Sequence, residues 1–181
     1  IDHVAMVKMD VEGSELRALR GMTRLLGADD APPVLFESNG HTLHFYGVRP
    51  SELLDEMERF GYRNLLVDTE QRLVEVPPGQ AQLQTVVDYL AVKGSLDRLE
   101  GWRVEGPLSI DERISRVVQE CRRPSPYLEG QRAYVAHALA GTEPEVLRHP
   151  EVVALLADLR ADPSELVSTA AAWSTPVEDR R

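Results

Sequence analysis

The first half of the chain switches between two hydrophobic periods. Val4 to Val11 is a mixed apolar run broken by Lys8 and Asp10, and it reads as a buried strand. A turn through Asp10–Glu15 follows, with Ser14 placed to cap a helix. Leu16, Leu19, Met22, Leu25 and Leu26 recur at helical spacing, which predicts one amphipathic helix. Pro32-Pro33 ends the linker. Val34-Leu35-Phe36 is then a short buried strand closing on Glu37, and Ser38 to His44 reads as a polar loop. Pro50-Ser51-Glu52 opens a second helix with Leu53, Leu54, Met57 and Phe60 on its apolar face, and Gly61 is placed to stop it. Asn64 to Val67 and Arg72 to Val76 are strand candidates around a polar turn, and β-branched Thr85 to Val92 is the last strong strand signal. Strand–helix alternation implies parallel strands with right-handed crossovers; the closely spaced strands after it imply an antiparallel edge.

From Ser95 onward the pattern predicts helices. Ser109 and Glu112 form a capping-box pair ahead of the stripe Ile110, Ile114, Val117, Val118 and Cys121. Pro124-Ser125-Pro126 breaks that helix. A second carries Leu128, Val135, Ala138 and Leu139, and a third Val152, Val153, Leu155, Leu156 and Leu159. Asp162-Pro163-Ser164-Glu165 starts a last helix that ends before Pro176. Trp102 and Trp173 are expected as packing anchors. The chain therefore divides into an α/β part, residues 1–94, and an α-helical extension, residues 95–181.

Composition narrows the function classes. A net charge of -10 with scattered basic residues argues against a nucleic-acid partner. No apolar run approaches the ~20 residues of a membrane-spanning helix, so no membrane partner is expected. No charged leader precedes an apolar segment, and the single Cys121 excludes an internal disulfide and a cysteine-based zinc site; a cytoplasmic location is the expectation. The opening at Ile1, already close to a strand-like run, suggests an upstream segment.

In open α/β sheets ligands bind beyond the carboxyl ends of the strands. Lys8, Asp10 and Glu12 are two residues apart and share one side of an extended chain. Charges ending a buried strand need partners or a ligand, because unpaired buried charge is costly. Glu37 ends the next strand in the same way, so Asp10 and Glu37 can face one cleft. The plain alternative is that Lys8 pairs with Glu12 or Glu37 and only fixes the strand end. His41 and His44 are secondary candidates for a base or an acceptor contact, with solvated surface as the plainer reading. Asp10, Glu12, Glu37 and Asn39 are oxygen donors of the kind magnesium takes, but their spacing does not require a metal and none is expected.

The block Val7-Lys8-Met9-Asp10-Val11-Glu12-Gly13-Ser14-Glu15 with Leu19-Arg20-Gly21 resembles the signature of the FkbM-type methyltransferases. Leu35-Phe36-Glu37, Phe60-Gly61-Tyr62 and Asp88-Tyr89-Leu90-Ala91-Val92 continue the resemblance in order, over residues 1–94. It implies a Rossmann-like class I methyltransferase sheet, with these residues as its second half, strands four to seven, including antiparallel edge strands. It implies S-adenosylmethionine as cofactor and methyl transfer to a hydroxyl of a sugar or natural-product acceptor. Carried over by position, Asp10 lies beside methyl donor and acceptor, as cofactor contact and as the group that positions the hydroxyl or removes its proton, with Lys8 as its ionic partner. Glu12, Glu37, Asn39 and His41 are then acceptor-side candidates. No G-x-G-x-x-G or related cofactor loop occurs in these residues, so the fragment by itself is expected to lack most of the cofactor site. The alternatives are a non-catalytic scaffold on a degenerate methyltransferase fold and, more distantly, a dinucleotide-binding enzyme. The helical extension is expected to pack on the sheet domain, form a lid, or make a homodimer.

Overall fold

The computed structural model describes residues 3–68, 71–96, 99–125 and 127–173. Contacts divide the chain into two compact units: residues 1–80 with 86–108, and residues 81–85 with 109–181. The division falls after residue 108 rather than at 94, because residues 103–105 add a strand to the sheet.

The first unit begins with β1 (Val7–Met9), α1 (Glu15–Gly21), α2 (Thr23–Leu26) and β2 (Val34–Asn39). It continues with α3 (Gly40–Phe45), α4 (Pro50–Arg59), β3 (Tyr62–Val67), β4 (Arg72–Glu75), β5 (Val86–Lys93) and β6 (Arg103–Glu105). The sheet order is β1-β2-β5-β3-β4-β6. β1 runs parallel to β2, while β5 lies antiparallel between β2 and β3. β1, β2 and β3 therefore share one direction, and the last long strand is inserted among them. Its four consecutive buried residues, Tyr89 to Val92, suit a central strand covered on both faces.

Alternate residues feed two cores. Phe36, Tyr89, Ala91 and Leu66 pack with Leu16 and Leu19 of α1 and Leu53, Leu54 and Met57 of α4. Leu65, Leu73, Leu90 and Val92 face the other way, with Leu35, Leu96, Leu99 and Val104 against them.

Several local expectations change. β1 stops at Met9 because Glu12 (φ 52°) and Gly13 (φ 97°) turn the chain out of the sheet. The single helix expected through Leu26 breaks at Met22 (φ -96°, ψ 20°), next to Gly21, a weak helix former. The expected polar loop after Glu37 is instead the end of β2 followed by α3. Asn39 caps this helix, its Oδ1 accepting from the amides of His41 (3.2 Å) and Thr42 (3.3 Å). β6 falls where the sequence predicts the helical extension; its three residues carry only Val104 as an apolar signal. Ion pairs hold it, with Arg72 Nε 3.1 Å from Glu105 and Arg103 Nε 2.7 Å from the same carboxylate.

The second unit holds α5 (Ile110–Arg122), α6 (Leu128–Ala140), α7 (Pro144–Arg148), α8 (Pro150–Arg160) and α9 (Glu165–Trp173). Its core joins Ile114, Val117, Leu139, Val152, Leu156 and Leu159, among others. Val153, expected on the apolar stripe, is 55% exposed. Short α7 went unread, since five residues are too few to show a period. Trp102 is 40% exposed, so it is no buried anchor; the Trp173 side chain and Pro176 lie outside the described residues. The Ser109 cap is as expected: its Oγ accepts from Glu112 N (3.2 Å), and Glu112 accepts from Ser109 N (2.9 Å). Ser109→Ala should cost about 0.5–2 kcal/mol of stability, read by urea unfolding followed by circular dichroism.

Candidate functional site

Three carboxylates step across neighbouring strands at one level. Met9 is in register with Phe36, so Asp10 and Glu37, the next residues, stand side by side. Glu37 in turn is paired with Asp88 of β5. Adjacent strands lie about 4.8 Å apart, so like charges face one another along this row, an arrangement that opposes pairing.

The electrostatics follow from that row. Burial pushes the Glu37 carboxyl above its ordinary range, and Asp10, Asp88 and Glu12 push it further, while a hydrogen bond from Asn39 works the other way. The folded protein thus holds the Glu37 proton more tightly than the unfolded chain. This contribution to stability is fully present below the ordinary carboxyl range and is lost as pH rises through the raised folded value. Asp88→Asn removes one neighbouring charge. It is expected to lower the pH at which Glu37 titrates and to flatten that loss, as followed by side-chain carbon-13 NMR and by unfolding between pH 4 and pH 7, roughly spanning the window above the ordinary carboxylate range.

The structure brings only some of the sequence candidates together. Lys8 Nζ is 3.2 Å from Asp10 Oδ2, not paired with Glu12 or Glu37, and the two side chains are 64% and 48% exposed. Burial was expected at this strand end; among the described residues β1 pairs with β2 alone, and Lys8, Asp10 and Glu12 are exposed. Nor does Glu12 continue the alternation of an extended strand, because its φ of 52° swings it into the turn. Asn39 spends its Oδ1 on the α3 cap, which leaves its amide nitrogen for Glu37. The exposed His41 ring packs edge-on to Phe45, with centroids 4.9 Å apart. Asp88, which the sequence reading did not single out as a site residue, completes the carboxylate row; an acid inside a β-branched run was the available signal.

The turn after β1 is tightly fitted. A Cβ on Gly13 would lie 2.7 Å from Tyr46 Cδ2 and 3.0 Å from the Thr42 carbonyl oxygen. Val11 N donates to Glu15 Oε1 at 3.1 Å, and Glu15 is 3% exposed. Among the described residues no group of three or more His, Cys, Asp or Glu side chains is spaced to hold a metal ion. Burial pushes the Cys121 thiol up to about 12, and the Glu120 charge adds to this, so it is no nucleophile near neutral pH. Among the described residues no helix is long and apolar enough to cross a membrane.

Residues 1–64 match the family model described as the methyltransferase FkbM domain. The chain resembles the FkbM methyltransferases. The FkbM match runs from β1 into β3 and contains Lys8, Asp10, Glu12, Glu37, Asn39 and His41; Asp88 lies beyond it. No curated protein and no solved structure matches the chain.

S-adenosylmethionine, the cofactor this likeness implies, carries a nucleoside and a sulfonium cation. Carboxylates at the strand ends suit the cation. Nothing here suits the nucleoside, because these residues contain no glycine-rich loop. A surface cleft of about 570 Å³ lined by Gly21, Met22, Thr23, Arg24, Leu25 and Ala28 lies at the C-terminus of α1 and includes none of the carboxylates of the row. These residues therefore offer no glycine-rich cradle for the nucleoside.

Proposed function

We propose that this chain is the acceptor-side half of an S-adenosylmethionine-dependent O-methyltransferase. Its β1, β2, β3 and β5 would correspond to strands four to seven of a Rossmann-like class I sheet. The observation that carries this reading is the FkbM match over residues 1–64, which contains Asp10, just past the end of β1, and Glu37 within the neighbouring β2.

In this reading the acceptor is a small molecule with a hydroxyl, of a sugar or natural-product type. Methyl transfer to oxygen is an in-line displacement and requires the hydroxyl to be held and its proton to leave. Asp10 is exposed and can accept that hydrogen bond and then the proton. Lys8, 3.2 Å from it, fixes the carboxylate's orientation. Glu37, with Asn39 bonded to it, would supply a further acceptor for a neighbouring hydroxyl, and Glu12 and His41 are further acceptor-side candidates in this reading. In this reading S-adenosylmethionine would supply the electrophilic methyl.

The test is calorimetric titration of S-adenosylhomocysteine into these 181 residues and into a protein extended at its amino end by a glycine-rich cofactor half. Heat of binding from the extended protein alone is the expected result. Absence of binding by both, with both folded, would overturn the reading in favour of a non-catalytic scaffold.

A further inference from the structure

The turn between β1 and α1 is held from two sides by residues to which the proposed chemistry gives no role. Inside, the carboxylate of Glu15 is buried at 3% exposure, and its Oε1 accepts the Val11 amide hydrogen at 3.1 Å. Its Oε2 has no hydrogen-bond partner among the described residues. A buried carboxylate is costly to place, so one that makes a single local hydrogen bond is a poor choice for packing alone. Outside, the Tyr46 ring covers Gly13 so closely that no Cβ fits beneath it. Between them Glu12 sits at φ 52°, a conformation a non-glycine residue keeps only when its surroundings impose it. Ser14, the residue placed to cap α1, makes no side-chain cap, so Glu15 replaces it as the group that ties the turn to the helix.

We propose that Glu15 and Tyr46 are positioning residues that clamp the turn from Asp10 to Ser14 and thereby fix Asp10 and Glu12 against Glu37. Neither touches the acceptor; both act through the turn. The inference rests on the strand-end surface being the acceptor site, but the geometry it asserts can be read without any methyl donor.

The test uses Glu15→Ala, Glu15→Gln and Tyr46→Ala in the whole chain, with two readouts. Hydrogen exchange of the Val11 amide reports the inner hydrogen bond. The titration of Glu37 by carbon-13 NMR reports where Asp10 and Glu12 are held, because their charges push it up along with burial and Asp88. Glu15→Ala is expected to speed Val11 exchange at least ~10-fold, the loss of about one hydrogen bond, and to bring the Glu37 titration down toward the ordinary carboxyl range. Glu15→Gln should restore both, since its carbonyl oxygen accepts the same hydrogen. Tyr46 is 56% exposed, so Tyr46→Ala spares the core and should shift Glu37 in the same direction even if Glu15→Ala does not fold. Loss of thermal stability with an unmoved Glu37 titration in the folded variants would make both residues mere packing and overturn the proposal. Failure of S-adenosylhomocysteine to bind would strike the methyltransferase reading and leave these two readouts as they are.

Discussion

On the proposed methyltransferase reading, Asp10→Ala is expected to slow methyl transfer in the extended protein by about 10²- to 10⁴-fold, the range for removal of a general base. The effect should fall on turnover and leave S-adenosylhomocysteine affinity nearly unchanged, because the group acts on the acceptor. The stability of these 181 residues should barely move. Asp10 is 48% exposed and its one ion pair is with a lysine that is 64% exposed, the kind of surface contact worth at most about 1 kcal/mol. Asp10→Asn separates the two duties left to the carboxylate. The amide can still orient a hydroxyl but cannot take its proton, so a loss close to that of alanine assigns proton removal. Turnover near the unsubstituted rate in both variants would remove Asp10 from the chemistry.

The largest stability effect is expected from Phe36→Ala, at about 3–5 kcal/mol. Phe36 is fully buried, its ring tilted against Tyr89 with centroids 5.7 Å apart, and it lies in β2 between β1 and β5. The neighbours that would have to collapse are held in β5 and in helices α1 and α4. Urea unfolding should show a lower midpoint with a similar slope. A cost below about 1 kcal/mol would mean that this core relaxes far more readily than close packing allows. Phe36 also precedes Glu37, so the same variant should loosen the carboxylate row.

Much of the α/β unit was legible because local signals agreed with one another. Pro50 at the start of α4, its stripe of Leu53, Leu54 and Met57, and Gly61 at φ 81° after its end form one consistent message. Helix α5 is another such case, with its Ser109–Glu112 box. Where signals were short or doubled in meaning, the reading failed. Asn39 serves as the last strand residue and as a helix cap, so a polar stretch that looked like loop holds a helical turn. β6 offers one apolar residue between two charges, and the β4 backbone and Arg72 that hold it lie about thirty positions away in sequence.

The candidate site divides in the same way. Lys8, Asp10, Glu12 and Glu37 were visible as charges where apolar residues belong, and their motif spacing pointed to the FkbM family. Their environment was not visible. Burial was expected for the ends of a parallel strand, whereas the structure leaves Lys8 and Asp10 exposed on a strand with one neighbour. Asp88 joins Glu37 only because β5 folds back between β2 and β3, a pairing that no local pattern encodes.

The sequence by itself determined most of the longer strands and helices, through hydrophobic period and capping chemistry, and it carried a motif that resembles the FkbM methyltransferases. The order of the strands, the register that lines up Asp10, Glu37 and Asp88, and the clamp of Glu15 and Tyr46 on the turn were decided only by the tertiary structure. Each of these depends on residues far apart in the chain meeting at fixed distances, and such distances are set by packing and pairing rather than by neighbours in sequence.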